Sequence, residues 1–223
     1  LYHSSPLGVI GGIGNGLVNG TFIGLTVVLA QRLGYSAADS ALFLTVAVVG
    51  AGALQWPLGY LSDRFDRRTV LVVVILLAAT VAFAGTYTDL TDKSTGLALM
   101  FIYGGVTIPL YSLILAHLND HLRQDQMVAA ASGYVFLIGA SATVGPIVAS
   151  WLMDRFGDGS FFAFQGVVWL ATGGFAVWRM TQRPAVALAD QTSPIYVARM
   201  STVAAASAME IAQENDDETV EAA

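Results

Sequence analysis

Gly59-Tyr60-Leu61-Ser62-Asp63-Arg64-Phe65-Asp66-Arg67-Arg68 packs five charges into ten residues of a chain otherwise poor in charge. Uncharged apolar runs, long enough to cross a bilayer, lie on either side. A short charged segment between two such runs sits in water at one membrane face, because ionised side chains are costly in hydrocarbon. Working outward from this stretch gives the class of fold and the most informative side chains.

The chain has 223 residues, of which 55% are hydrophobic and only 12% charged. Soluble domains carry about 25% charged residues, so the balance places this sequence in the membrane class. With no cysteine, disulfides, thiol nucleophiles and cysteine-based zinc sites are excluded. The net charge of −6 reflects the C-terminal acids Glu210, Glu214, Asp216, Asp217, Glu218 and Glu221 more than the rest of the chain. Nucleic acid is not an expected partner, since no basic patch carries interleaved aromatics. The chain opens on Leu1 rather than Met and shows no basic segment with a small-residue cleavage site, so a fragment or processed piece without a signal peptide is expected.

About 20 apolar residues span the hydrocarbon core as a helix. Six stretches qualify: residues 6–30, 41–61, 69–86, 96–116, 127–153 and 161–178. An open sheet cannot satisfy its backbone in lipid, so the fold is expected to be all-α. Residues 1–180 then form a six-helix transmembrane domain, and 181–223 a hydrophilic tail, largely disordered. Short polar connections separate the spans. The one after the first span holds Gly34 and a helix start at Ser36 or Asp39.

Loop charge sets an expected orientation. Alternate loops divide Arg64, Arg67, Arg68, Arg123, Arg179 and Arg183 from Arg32, Lys93 and Arg155. Excess Lys and Arg mark the cytoplasmic side. The Asp63 and His117 loops and both termini are thus expected in the cytoplasm, in a multi-pass protein of the plasma (inner) membrane.

Within the spans, Gly8, Gly12, Gly16, Gly20 and Gly24 recur every four residues and share a helix face. Small residues so spaced let a second helix approach closely. Tight packing and a sliding surface both fit. Asn15 and Asn19 lie beside this stripe, one turn apart. A polar amide in lipid needs a partner, so these two, with Gln55 and Gln165, either bond across helices or line a watery cavity. Tyr103, Thr107 and Tyr111 also recur every four residues, a hydroxyl-bearing face suited to an uncharged or amphipathic ligand, with Pro109 interrupting the helix. No Asp, Glu, Lys or Arg lies deep in any span, so this segment has no evident proton-coupling group.

His117 and His121 stand one turn apart with Asp120 alongside. A zinc-protease helix needs Glu directly after the first His, and Leu118 is there instead. We read no metal site, no cofactor and no catalytic set, so an enzyme is not expected.

The opening stretch resembles the loop signature of the major facilitator superfamily. Gly59, Asp63, Arg64, Arg67 and Arg68 match it, and Asp66 stands where the signature has a second Gly, a residue that also tolerates turns. The pieces Leu7-Gly-Val-Ile, Gly16-Leu-Val-Asn-Gly, Leu54 to Arg68, Gly145-Pro146 and Met153-Asp-Arg-Phe-Gly are similar to the second half of the YcaD-like branch of bacterial facilitators, over residues 1–185. The resemblance implies the C-terminal six-helix half of a transporter whose other half is missing from this chain. It implies secondary transport of a small solute by alternating access, with any proton coupling supplied elsewhere. The two halves would rock about a midplane site. Asp63 would act as a latch against a helix N-terminus or an arginine of the other half, and the arginines would pair within the loop and with anionic lipid headgroups. The first and fourth spans would line the cavity, making Asn15, Asn19, Gln55, Tyr103, Thr107 and Tyr111 the contact candidates. Gly139, Gly145 and Pro146 resemble the pattern that lets family helices bend and pack. Against this stands a second reading, a non-transporting six-span scaffold or partner-binding protein acting through its tail.

Overall fold

The computed structural model describes residues 5–120 and 127–182. The hydrophilic tail from residue 183 on, Arg123 and His121 of the histidine pair lie outside the described residues. Seven helices build six apolar spans: α1 (Pro6–Arg32), α2 (Ala37–Arg64), α3 (Arg67–Tyr87), α4 (Lys93–Thr107), α5 (Leu110–Asn119), α6 (Met127–Phe156) and α7 (Ser160–Met180). The helices run a few residues beyond the apolar runs, because polar residues cap their ends. Ser5 Oγ accepts from Gly8 N, with Pro6 in the first turn. Ser36 Oγ accepts from Asp39 N at 3.1 Å and donates to the Asp39 carboxylate. Asp92 Oδ2 accepts from Thr95 N at 2.9 Å at the head of α4.

The fourth span is two helices. Pro109 lacks an N–H and its ring crowds the preceding turn, so α4 stops at Thr107 and α5 resumes at Leu110. Pro57 and Pro146, in contrast, lie inside continuous helices.

Glycines let the helices pack closely in pairs. Along α1, Gly12, Gly16, Gly20 and Gly24 meet Tyr134, Ile138, Ala142 and Pro146 of α6 in turn. Both series step by four in the same direction, so α1 and α6 run parallel with matched turns. A Cβ at Gly16 would sit 2.6 Å from the Ile138 carbonyl oxygen. Gly50 of α2 and Gly104 and Gly105 of α4 make a second parallel pair. Gly85, Gly166 and Gly173 join α3 to α7, antiparallel. Gly8, expected on the same face, instead meets Leu118 of α5, because each step of four overshoots the helical turn by about 40°; with Gly11 also against α5 and Gly14 against α7, α1 is the central helix. Beside it sits an aromatic cluster: Phe22 edge-on to Tyr103 at 5.1 Å, Tyr103 to Phe162 at 5.6 Å, and Phe161 to Phe162 at 4.9 Å.

Burial is uneven. In the fourth span 61% of the most apolar stretch is buried, against 28% in α2 and 11% in α6. Those two helices present Val48, Val49, Trp56, Val135, Phe136, Ile147 and Trp151 outward.

Candidate functional site

The charged motif is helical for most of its length. Gly59 to Arg64 complete α2, Arg67 and Arg68 begin α3, and only Phe65 and Asp66 form the connection. The expectation of a loop over Gly59–Arg68 is corrected accordingly. The reason is Asp66, whose carboxylate accepts from Arg68 N at 3.3 Å and from Thr69 N at 3.2 Å. It caps α3, which explains a carboxylate where the signature has Gly.

Arg67 is not a lipid anchor. Its side chain is 5% exposed, with Nη1 2.6 Å from Asp120 Oδ1 and Nη2 3.4 Å from Asp63 Oδ1. Asp120, at the end of α5, is itself buried on its side chain, whereas Asp63 is 51% exposed. The buried guanidinium thus ties α3 to α5 and leaves one Asp63 edge facing outward. Arg64 lies 4.5 Å over the Tyr60 ring, which in turn stacks on Trp56. Arg68 is close enough to feel Asp66 and Arg179. Gly59 faces open space.

At the opposite end of the bundle, Arg32 binds Asp154 and lies 3.6 Å from Asp158, and Lys93 binds Asp39 at 2.5 Å. Tyr35 Oη donates to the Leu90 carbonyl at 2.7 Å, closing the same end. Burial raises the Tyr35 pKa first, and the nearby carboxylates Asp92 and Asp89 add to it. The ion pairs therefore sort the connections into two ends, with Asp63, Arg67 and Asp120 at one and Arg32, Asp39, Lys93, Asp154 and Asp158 at the other.

Between the ends, α1 carries a pair of amides. Asn19 Nδ2 donates to Asn15 Oδ1 at 2.7 Å, and Asn15 is fully buried. Asn19 Oδ1 is buried with no hydrogen-bond partner. Gly12, on the same face of α1 as Asn15 and Asn19, receives the ring of Tyr134, which leans on Tyr111 at 5.9 Å between centroids. The Tyr134 hydroxyl is likewise buried without a partner. Asn15 and Asn19 thus share the face of α1 on which Tyr134 of α6 packs at Gly12, with Tyr111 of α5 beside Tyr134.

Tyr134 was not singled out from sequence. Its signal is the run Tyr134, Ile138, Ala142, Pro146 in step with the glycines of α1, legible only once α1 and α6 are paired. Tyr103 and Thr107 of α4 are fully buried: Tyr103 Oη donates to Gln165 Oε1 of α7 at 3.0 Å, Gln165 Nε2 donates to the Phe161 carbonyl at 3.0 Å, and Thr107 Oγ1 has no hydrogen-bond partner. Tyr111 does not share their face, because eight helical residues drift by about 80° and Pro109 breaks the ladder. Gln165 is an interhelical bond, and Gln55 is exposed on α2. Of the packing residues, Gly145 lies against Leu17 and Thr21, and Pro146 against Gly24. Gly139 differs from the expected packing role: it faces open space, being on the outer side of α6. Among the described residues, no group of three or more His, Cys, Asp or Glu is arranged to hold a metal.

Six long apolar helices, packed through glycines and with their ion pairs at the helix ends, are the architecture of a multi-pass membrane protein. The family model of the Major Facilitator Superfamily matches residues 8–207, and the chain belongs to that family. It is similar to the protein named "Uncharacterized MFS-type transporter YcaD" from Escherichia fergusonii, at 31% identity over 160 residues, covering 72% of this chain and 41% of that protein. The proteins of the same name from Salmonella paratyphi B and Salmonella newport are 32% identical over 161 residues, with the same shares covered. The chain thus spans about two fifths of the length of these curated relatives.

Proposed function

We propose that this chain is one six-helix half of a secondary transporter that carries a small solute across the bacterial inner membrane by alternating access. The observation that carries the reading is that Asn19 Oδ1 and the Tyr134 hydroxyl are buried without hydrogen-bond partners; in this reading they belong, with Asn15 and Tyr111, to one polar crevice between α1, α5 and α6. A buried acceptor and a buried hydroxyl without partners are costly in an apolar interior, and a polar solute would satisfy both. Family membership and this crevice favour transport over a scaffold role. The outward apolar faces of α2 and α6 suit a companion six-helix half, and the relatives' greater length supports one. Solute would bind between the halves, with Asn15 and Asn19 supplying amide groups and the tyrosines ring faces and hydroxyls.

In this reading Asp63 is the cytoplasmic latch. Its free carboxylate edge would meet a helix N-terminus or an arginine of the companion half, an interaction worth about 0.3–1 kcal/mol at an exposed helix end. Arg67 positions Asp63, and Arg64 and Arg68 face headgroups. With no ionised group in the crevice, any proton coupling comes from the companion half. The arginines near Asp63 and Arg179 support cytoplasmic termini. The test is uptake by proteoliposomes of the full transporter against a broad solute panel. Asn19→Leu should abolish uptake while membrane insertion persists. Undiminished uptake by Asn19→Leu would remove the crevice from the solute path.

A further inference from the structure

The end of α6 repeats the end of α2. Leu61-Ser62-Asp63-Arg64-Phe65 closes one helix and Leu152-Met153-Asp154-Arg155-Phe156 the other. The likeness extends back along each exposed face. Three residues before each Asp stands an exposed aromatic, Tyr60 or Trp151, and seven before it an exposed apolar residue, Trp56 or Ile147. Phe65 and Phe156 are both exposed two residues after it.

The packing repeats as well. If the first three spans are exchanged with the last three, the α1–α6 pair becomes the α4–α2 pair, and the α3–α7 pair maps onto itself. Because the exchanged helices run in opposite directions, Asp63 and Asp154 lie at opposite ends of the bundle. Each belongs to a triad of one arginine between two carboxylates: Asp63–Arg67–Asp120 and Asp154–Arg32–Asp158. The triads use equivalent places with two signs reversed. Arg67 at the head of α3 corresponds to Asp158 just before α7, and Asp120 after α5 corresponds to Arg32 at the end of α1. In both, the helix-end Asp is the exposed member relative to its arginine, 51% for Asp63 and 61% for Asp154 against 5% for Arg67 and 35% for Arg32.

We propose that Asp154 is a second latch, the mirror of Asp63 at the opposite membrane face, and that its partner is a helix N-terminus of the companion half. Arg32 and Asp158 are its positioning residues: Arg32 fixes one carboxylate oxygen and leaves the other directed outward. The molecule then has a carboxylate closure at each face, and each favours the state in which the other is open. This rests on the alternating-access reading above.

The experiment places a single reporter, Asn19→Cys, in the full transporter, with any cysteines of the companion half replaced by serine. Labelling by a membrane-impermeant maleimide is measured from each face. Asp154→Asn should raise labelling from the Asp154 face by about two- to fivefold, the range one carboxylate at a helix end supplies, and Asp154→Glu should restore the parental ratio. Asp63→Asn should raise labelling from the other face. Size-exclusion profiles identify any variant that has lost its fold, and Arg32→Gln, which leaves Asp154 in place but unpositioned, then gives the same reading. An effect of Asp63→Asn with none of Asp154→Asn or Arg32→Gln overturns the second latch and leaves the transporter reading standing. No effect of any variant overturns both. Increased labelling from one and the same face in both Asp variants overturns the mirrored assignment.

Discussion

Arg67 lies between two carboxylates, and the one it holds most tightly, Asp120, is as buried as itself. Removing one member of a buried pair strands the other charge, at about 3–5 kcal/mol. Arg67→Ala is therefore expected to destabilise the protein by that order, and Arg67→Lys, which keeps the charge but not the planar fork, by less. Thermal unfolding in detergent measures both, and equal midpoints for Arg67→Ala and the parent would refute the assignment. Asp92 offers a pH-dependent counterpart outside the spans. The Thr95 and Ser94 hydroxyls and the Thr95 N–H bond its carboxylate and hold its pKa at about 2, below the roughly 3.9 of a free aspartate. A depressed carboxylate stabilises the fold above its unfolded pKa and loses that contribution as pH falls through its folded pKa. The cap of α4 should therefore weaken between about pH 4 and pH 2. Asp92→Asn keeps the cap but cannot titrate, so its midpoint should fall less over that window. Parallel curves for the two proteins would sink the prediction.

At the scale of elements, the α1–α6 pair rests on absent side chains. A Cβ at Gly20 would collide with the Ala142 backbone, which cannot move aside as a side-chain tip can. Gly20→Ala should cost about 1–3 kcal/mol, the range for overpacking. Gly139→Ala on the outer face of α6 meets nothing within 4 Å. It should be neutral or stabilise by up to about 1 kcal/mol, since Ala is the better helix former. Detergent melting curves of the two variants give the comparison, and a loss at residue 139 as large as at residue 20 would mean the helices are paired otherwise. The glycine period was readable in the chain, because spacing by four places residues on one face whatever the neighbour. Which helix fills that face was not, since α6 carries a matching but chemically plain series of Tyr, Ile, Ala and Pro.

For the whole molecule, closure at the Asp63 face depends on a carboxylate at a helix end. Asp63→Asn should reduce transport about two- to fivefold, from the 0.3–1 kcal/mol such a charge contributes, with insertion unchanged. Uptake in proteoliposomes alongside a membrane-fraction immunoblot tests this, and unaltered uptake would end the latch role. A reporter fused after residue 223 tests the orientation: fluorescence without alkaline phosphatase activity is expected for a cytoplasmic terminus, and the reverse pattern would invert the assignment.

Composition and spacing alone determined six apolar spans, charge restricted to their ends, and a family motif with Asp66 in place of its second Gly; that Asp66 caps α3 came from the structure. These are local properties, set by transfer to lipid and by backbone hydrogen bonding. Tertiary structure decided what each polar side chain does. Arg67 reads as surface charge until Asp120, 53 residues away, is brought to it. Tyr103 reads as an open hydroxyl until Gln165 of α7 meets it, and Tyr134 gains meaning only against Gly12. Burial is a property of pairs of helices, and helices of equal hydropathy do not announce in lipid which of their faces will meet.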